Sequence, residues 1–130
     1  MPERSGDWYK QAERDLDAAR ELRKDGFHEW SCFLAQQAAE KSVKAVLNRL
    51  GAEAWGHSVL DLISALPATH APDPDILGAA RFVDRFYVTA RYPNGWAEGT
   101  PSEYYGDDDA RQAIDHSQKV LRFCHDLLAR

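Results

Sequence analysis

Residues 35–47, AQQAAEKSVKAVL, run on without a single proline or glycine. Whatever else the chain does, this stretch must lie inside a helix, and the fold has to be assembled around it. It nevertheless carries Gln37, Glu40, Lys41 and Lys44. At about 100° per residue the surrounding helix, expected from about Glu29 to Leu50 with Gly51 as its stop, resolves into three faces. Ala35, Ala38, Ala39, Ser42 and Ala45 make a small-residue face that lets another helix approach closely. Val43, Val46, Leu47 and Leu50 make a bulky apolar face. Gln37, Lys41, Lys44 and Asn48 make a polar face, which continues towards the N-terminus into Trp30, Phe33 and Leu34.

The same period governs the rest of the chain. Trp8, Ala12, Leu16, Ala19 and Leu22 form one stripe between Asp7 and Lys24, and Gly26 closes that helix. Ser58 is placed to cap a short helix carrying Val59, Leu62, Ile63 and Leu66, with Asp61 completing a weak capping box. Asp73 followed by Pro74 starts a further helix through Ala79, Phe82, Val83, Phe86 and Ala90, which should fail at Tyr92–Pro93. Residues 93–106 read as the one long loop. Asp107 is then expected to cap a last helix with Ala110, Ala113, Ile114, Val120, Leu121, Cys124 and Leu127 on one side. No segment alternates as a strand would. The expected fold is all-α, an antiparallel up-and-down bundle of four main helices plus one short helix, with residues 1–130 as a single domain.

Composition matters here for what it excludes. A formal charge of −5 argues against a protein that binds duplex DNA through its overall field. No apolar run reaches the length of a membrane span, no basic start leads into an apolar stretch, and the chain is expected to be cytoplasmic. Cys32 and Cys124 fall on apolar helical faces, which suits buried thiols rather than a disulfide. The histidines are too dispersed for a metal site, and no cofactor motif is present.

The polar face of the second helix has two readings. Glu40 and Lys44 could form a solvated i,i+4 pair worth about 0.2–0.5 kcal/mol. Alternatively the stripe lines a groove, where an amide and two ammonium groups hold a phosphate or a base edge. The fourth helix offers a matching stripe, Ala80, Asp84, Tyr87 and Arg91. Arg91 could serve only the helix dipole, and Tyr87 could be a half-buried core tyrosine. His57 precedes the Ser58 cap, and imidazole changes charge near neutral pH. Tyr104 and Tyr105 could stack a base or fold back over the core. The acidic run Asp107–Asp109 suits a helix start better than a cation site.

Taken in order, DWYKQAERDLDAA, GFHEWSCFLAQQAAEKSVKAVL, the histidine of GHSVLDLI, FVDRFYVTARYP and YYGDDDARQAI resemble the HEPN family, the "higher eukaryotes and prokaryotes nucleotide-binding" domain. AQQAAEKSVKA and ARYP are the specific pieces. The resemblance implies a bundle that commonly pairs as a homodimer, and two different occupations. Some members are ribonucleases using an arginine followed after four to six residues by a histidine. Others lack that pair and bind nucleotides, or act beside a minimal nucleotidyltransferase, often as toxin and antitoxin.

After Arg91 the relevant positions hold Trp96, Ala97 and Glu98. Neither tryptophan nor alanine shuttles a proton, and a loop glutamate is too acidic without burial. Arg23/His28 and Arg111/His116 match the spacing elsewhere, about as often as chance allows. The sequence therefore points to a non-catalytic nucleotide-binding protein with no metal and no catalytic residue. Gln37, Lys41 and Lys44 form one wall of its site and Tyr87, Arg91 and Tyr105 the other, with His57 helping to orient the ligand. The nucleotide is the only small molecule expected, and a nucleotidyltransferase is the expected partner. The rivals are a metal-independent endoribonuclease toxin and a purely structural dimer.

Overall fold

In the computed structural model, which describes residues 3–130, the chain forms an all-helical antiparallel bundle. Its long members are α1 (Ser5–Lys24), α2 (His28–Arg49) and α7 (Asp107–Leu128). Shorter ones are α3 (Val59–Ser64), α4 (Pro74–Asp84), α5 (Phe86–Thr89) and α6 (Pro101–Tyr104), with single 3-10 turns at Ala68–His70 and Pro93–Gly95. Helix α2 is central, touching α1 and α7 along their length and α3 to α6 at its flanks.

Small side chains explain how three long helices meet there. Ala12, Ala19, Ala35, Ala38, Ala39, Ala45, Ala110 and Ala113 are all fully buried. The helices come close enough for side-chain hydroxyls to reach a neighbour's backbone. Ser31 Oγ donates to the Ala19 carbonyl (2.7 Å) and Ser117 Oγ to the Ala35 carbonyl (2.6 Å). Around this contact the core has two parts. Val43, Val46, Leu47, Val59, Ile63, Val83, Val120 and Cys124 fill one end. Leu16, Cys32, Phe86, Ala90, Ile114 and Leu121 fill the other. Both cysteines are buried and unpaired, and burial pushes each thiol up to about 12. No helix among the described residues is long and apolar enough to cross a membrane.

The helix ends follow local chemistry. At Gly26 (φ +84°) and Gly51 (φ +72°) the backbone turns left-handed. The next amides reach back, Phe27 to the Leu22 carbonyl and Ala52 to that of Leu47 (both 2.9 Å). Ser58 Oγ accepts the Asp61 amide (3.1 Å), and Asp73 Oδ1 accepts that of Ile76 (3.0 Å).

Four expectations need correction. The fourth helix does not run unbroken to Ala90, because α4 ends at Asp84 and α5 begins at Phe86. Thr89 Oγ1 bonds back to the Arg85 carbonyl (2.6 Å), a contact that bends helices. Residues 93–106 are not an open loop, since they hold a 3-10 turn and α6. Gly106, not Asp107, is the cap position of α7, and Asp109 Oδ2 accepts the Gly106 amide (2.8 Å). Leu50 is 40% exposed and does not join the bulky core face.

Candidate functional site

Helix α2 directs Phe33, Gln37, Lys41 and Lys44 to one side, three and four residues apart. Neither lysine there is free. Lys41 Nζ lies 2.5 Å from Asp15 Oδ2 of α1, and Gln11 donates to the same carboxylate (2.9 Å). Lys44 Nζ lies 3.1 Å from Glu40 Oε2, with the two side chains only 12% and 5% exposed. The Glu40–Lys44 pair is therefore not a solvated surface pair. Lys44 also stands over the Trp8 ring, 5.9 Å from its centre.

Gln36, rather than Gln37, is the buried amide of this helix. Its Nε2 donates to the His57 carbonyl (2.9 Å) and approaches Glu40 Oε1 (3.4 Å), while Gln37 donates to Gln36 Oε1 (2.8 Å). His57 is stapled to α2 this way. Its Nδ1 lies 3.3 Å from Glu40 Oε2, the oxygen that Lys44 also uses. The His57 ring stacks on Tyr87 of α5, centres 4.7 Å apart and planes 17° from parallel.

Arg91 follows α5 and closes the arrangement. Its Nε donates to the Tyr87 carbonyl (2.7 Å). Its guanidinium carbon sits 4.4 Å from the ring centre of Phe33, 4.5 Å from that of Tyr87 and 4.9 Å from that of Tyr92. Among the described residues no carboxylate lies within ion-pair distance of it. Arg91 thus touches α2 at Phe33, which lies four and eight residues before Gln37 and Lys41 on the same side of that helix. An unpaired guanidinium on aromatic rings can bind a phosphate by paired hydrogen bonds and a base by stacking.

Of the seven anticipated residues, Gln37, Lys44, His57, Tyr87 and Arg91 are linked by these contacts, whereas Lys41 shares their side of α2 but is held by Asp15 of α1. Tyr105 does not join them. Its ring packs edge-on to Phe86 (5.4 Å) and Trp96 (5.6 Å), and its hydroxyl pairs with Thr89 Oγ1 (2.6 Å). Burial holds that hydroxyl above its usual range. The segment around it is stitched shut. Trp96 stacks on Tyr104 (3.7 Å, 10°) and donates its indole N–H to the Thr89 carbonyl (2.8 Å). Asp15, Gln36, Phe33 and Tyr92 are the participants that sequence reasoning did not assign. A signal existed for two of them. Asp15 lies three residues after Ala12 and four before Ala19, inside the buried stripe, and Gln36 lies on the line of Val43 and Leu47.

The two literal arginine–histidine spacings differ in the structure. Arg111 pairs with Asp108 and Asp115, while the His116 ring lies against Phe82 (4.3 Å). Arg23 and His28 do converge, on Asp107. Arg23 grips that carboxylate through two nitrogens (2.8 and 3.1 Å), and His28 Nε2 is 3.9 Å away. The guanidinium holds the Asp107 carboxyl below its usual range. This clamp joins the end of α1 to the starts of α2 and α7. Among the described residues there is no cluster of three or more metal-ligating side chains.

Comparison with known proteins identifies the family of this fold. The family model described as "HEPN domain" matches residues 5–127. The crystal structure of TT1696 from Thermus thermophilus is 36% identical, with a TM-score of 0.94 over 97% of this chain and 99% of its own. ST0689, described as an archaeal HEPN homologue, is 43% identical with a TM-score of 0.81, covering 97% and 98%. The HEPN domain protein TM0613 of Thermotoga maritima is 35% identical with a TM-score of 0.77, covering 95% and 98%. A curated relative from Methanocaldococcus jannaschii, named "Putative toxin MJ1304", is 25% identical over 142 residues, covering 92% of this chain and 84% of its own.

Proposed function

The chain belongs to the HEPN domain family, and we propose that it is a non-catalytic, nucleotide-binding member of it. Its ligand lies on the face formed by Gln37, Lys41, Lys44, His57, Tyr87 and Arg91. One observation carries this reading: Arg91 is a guanidinium with no carboxylate partner among the described residues, seated on three aromatic rings. Lys41, Lys44 and Arg91 contact phosphate, whereas Gln37, His57 and Tyr87 orient the ligand. The protein works in the cytoplasm as a homodimer beside a minimal nucleotidyltransferase, which supplies the carboxylates and metal that nucleotidyl transfer needs.

The subtype without ribonuclease activity is supported by the side chains that follow Arg91. Trp96 is committed to its stack and to the Thr89 carbonyl. Titration with AMP, ATP and GTP, for the wild type and a Lys41/Arg91 double replacement, tests the proposal. Binding is expected to weaken at least about tenfold in the variant, given the usual worth of hydrogen bonds to charged groups. No wild-type binding up to millimolar nucleotide rejects it.

A second reading is a metal-independent endoribonuclease toxin, of which the name of the Methanocaldococcus jannaschii relative supports the toxin part. Incubation with RNA separates the two. Cleavage that Arg91→Ala abolishes would replace the first reading by the second.

A further inference from the structure

The seam between α1 and α7 holds a cleft of about 260 Å³ that shares no residue with the Arg91 site. The two helices are tied across it at both ends. At one end the Tyr9 hydroxyl donates to the Leu121 carbonyl (3.2 Å), and the Tyr9 ring lies 5.9 Å from that of His125. Burial pushes the Tyr9 phenol up to about 12, so it keeps the proton that makes this tie. At the other end Arg20 donates to Gln118 Oε1 through one nitrogen and to Asp17 Oδ1 through another (3.2 Å). Leu16 and Leu121, both buried, make the floor. The middle is not bridged. Glu13 and Arg122 line it from opposite helices, and neither takes part in an ion pair among the described residues.

The two walls differ in kind. Helix α1 contributes Tyr9, Glu13 and Asp17 at intervals of four, a stripe rich in acceptors. Helix α7 contributes Gln118, Arg122 and His125 at intervals of four and three, a stripe rich in donors. A guest of one charge meets its own sign here, because a metal ion faces Arg122 and a free phosphate faces Glu13. A molecule with an ammonium at one end and a carboxylate at the other finds a partner on each wall. The volume falls just below the about 300–1,000 Å³ of sites for drug-sized ligands, which restricts the guest to a small metabolite. The floor offers little apolar surface, since Leu16 and Leu121 are each 3% exposed, and that suits a short aliphatic side chain.

We propose that the α1–α7 cleft binds a small free amino acid as its zwitterion, with the ammonium on Glu13 and the carboxylate on Arg122. The site is separate from the nucleotide-binding face and does not depend on it. The Glu13 carboxylate accepts from the ammonium, and the Arg122 guanidinium donates a pair of bonds to the carboxylate. The short side chain rests on Leu16 and Leu121. Asp17 and Arg20 already offset each other and close one end of the cleft. An exposed ion pair gains little over two hydrated charges, so Glu13 and Arg122 remain available to a guest that also covers the floor.

NMR titration of the full chain with alanine tests this, beside propionate and ethylamine, which each keep one of its two charges. The resonances of Tyr9, His125 and the Leu16 and Leu121 methyls report the cleft. Alanine is expected to bind at least about tenfold tighter than either analogue. Glu13→Gln and Arg122→Gln should each weaken alanine binding about tenfold and leave the melting temperature unchanged, because both side chains are exposed. Equal affinity for the three compounds overturns the inference, as does the absence of any shift up to about 100 mM alanine. Variants that bind alanine as the wild type does overturn it too. If either variant fails to fold, the wild-type spectra decide. Cleft resonances that move with alanine no more than those of Phe33 and Tyr87 reject the site.

Discussion

Glu40 is the clearest case of a side chain whose worth depends on where the fold puts it. On a solvated helix its pairing with Lys44 would contribute about 0.2–0.5 kcal/mol. Here the carboxylate is 5% exposed and shared among Lys44, His57 and the Gln36 amide. Glu40→Ala leaves an enclosed ammonium without its counter-charge, and the expected cost is about 3 kcal/mol. Urea unfolding measures it, and a loss of only a few tenths would return the pair to the surface. His116 gives a pH-dependent counterpart. Its Nδ1 is enclosed with no hydrogen-bond partner among the described residues, and burial, aided by Lys119, lowers its affinity for a proton. The folded state therefore prefers the neutral ring. That contribution is complete above an imidazole's ordinary value near ~6.5 and is lost as pH falls through it toward the lower native value. Replacing His116 by Leu should narrow the gap between melting temperatures at about pH 7.5 and about pH 5. An unchanged gap assigns the acid sensitivity elsewhere.

Among the helices, α3 depends on a residue from another element. Asp84, the last residue of α4, accepts the Ser58 hydroxyl (3.0 Å) and the amides of Val59 (2.7 Å) and Leu60 (2.9 Å). Asp84→Ala strands two amides at the start of a six-residue helix, and destabilisation of about 2 kcal/mol is expected in denaturant melts. Earlier exchange of the Val59 and Leu60 amides should accompany it. Such long-range caps mark the limit of what the sequence tells. Gly26, Gly51, Ser58, Asp73 and Pro74 act on their own neighbours, and the boundaries they signal are legible. The break at Arg85 is not, because it comes with Thr89 bonding both back to its own helix and across to Tyr105. The order of residues 93–106 is equally hidden. It arises from a Trp96–Tyr104 stack and an indole bonded to Thr89, contacts that no local pattern encodes.

The assembled bundle leaves several large apolar side chains exposed near Arg91 and the start of α2. Phe27 and Trp30 at the start of α2 and Val88 and Tyr92 around the end of α5 are 53%, 44%, 47% and 48% exposed. Trp30 leans on Phe33, which in turn carries Arg91. Two copies meeting here would bury those side chains and border the Arg91 site from both sides. Sedimentation is expected to give twice the chain mass for the wild type and a monomer for Trp30→Glu, and a wild-type monomer would reject the pairing. Helical period alone made the bundle readable, since each long helix buries one stripe. The same period set Gln37, Lys41 and Lys44 on one side of α2, but it could not reveal that Asp15 and Glu40 already occupy the lysines. That depends on how α1 rotates against α2, and on a turn of one residue between Gln36 and Gln37.

The two carboxylates have an effect of their own. Tethered opposite Lys41 and Lys44, Asp15 and Glu40 act like dissolved competitors at an effective concentration on the order of millimolar or higher. Chloride or acetate, arriving with a single point of attachment, gains little by displacing them. The lysines therefore stay shielded from ordinary electrolytes, and only a guest that bonds several groups simultaneously would gain by the exchange.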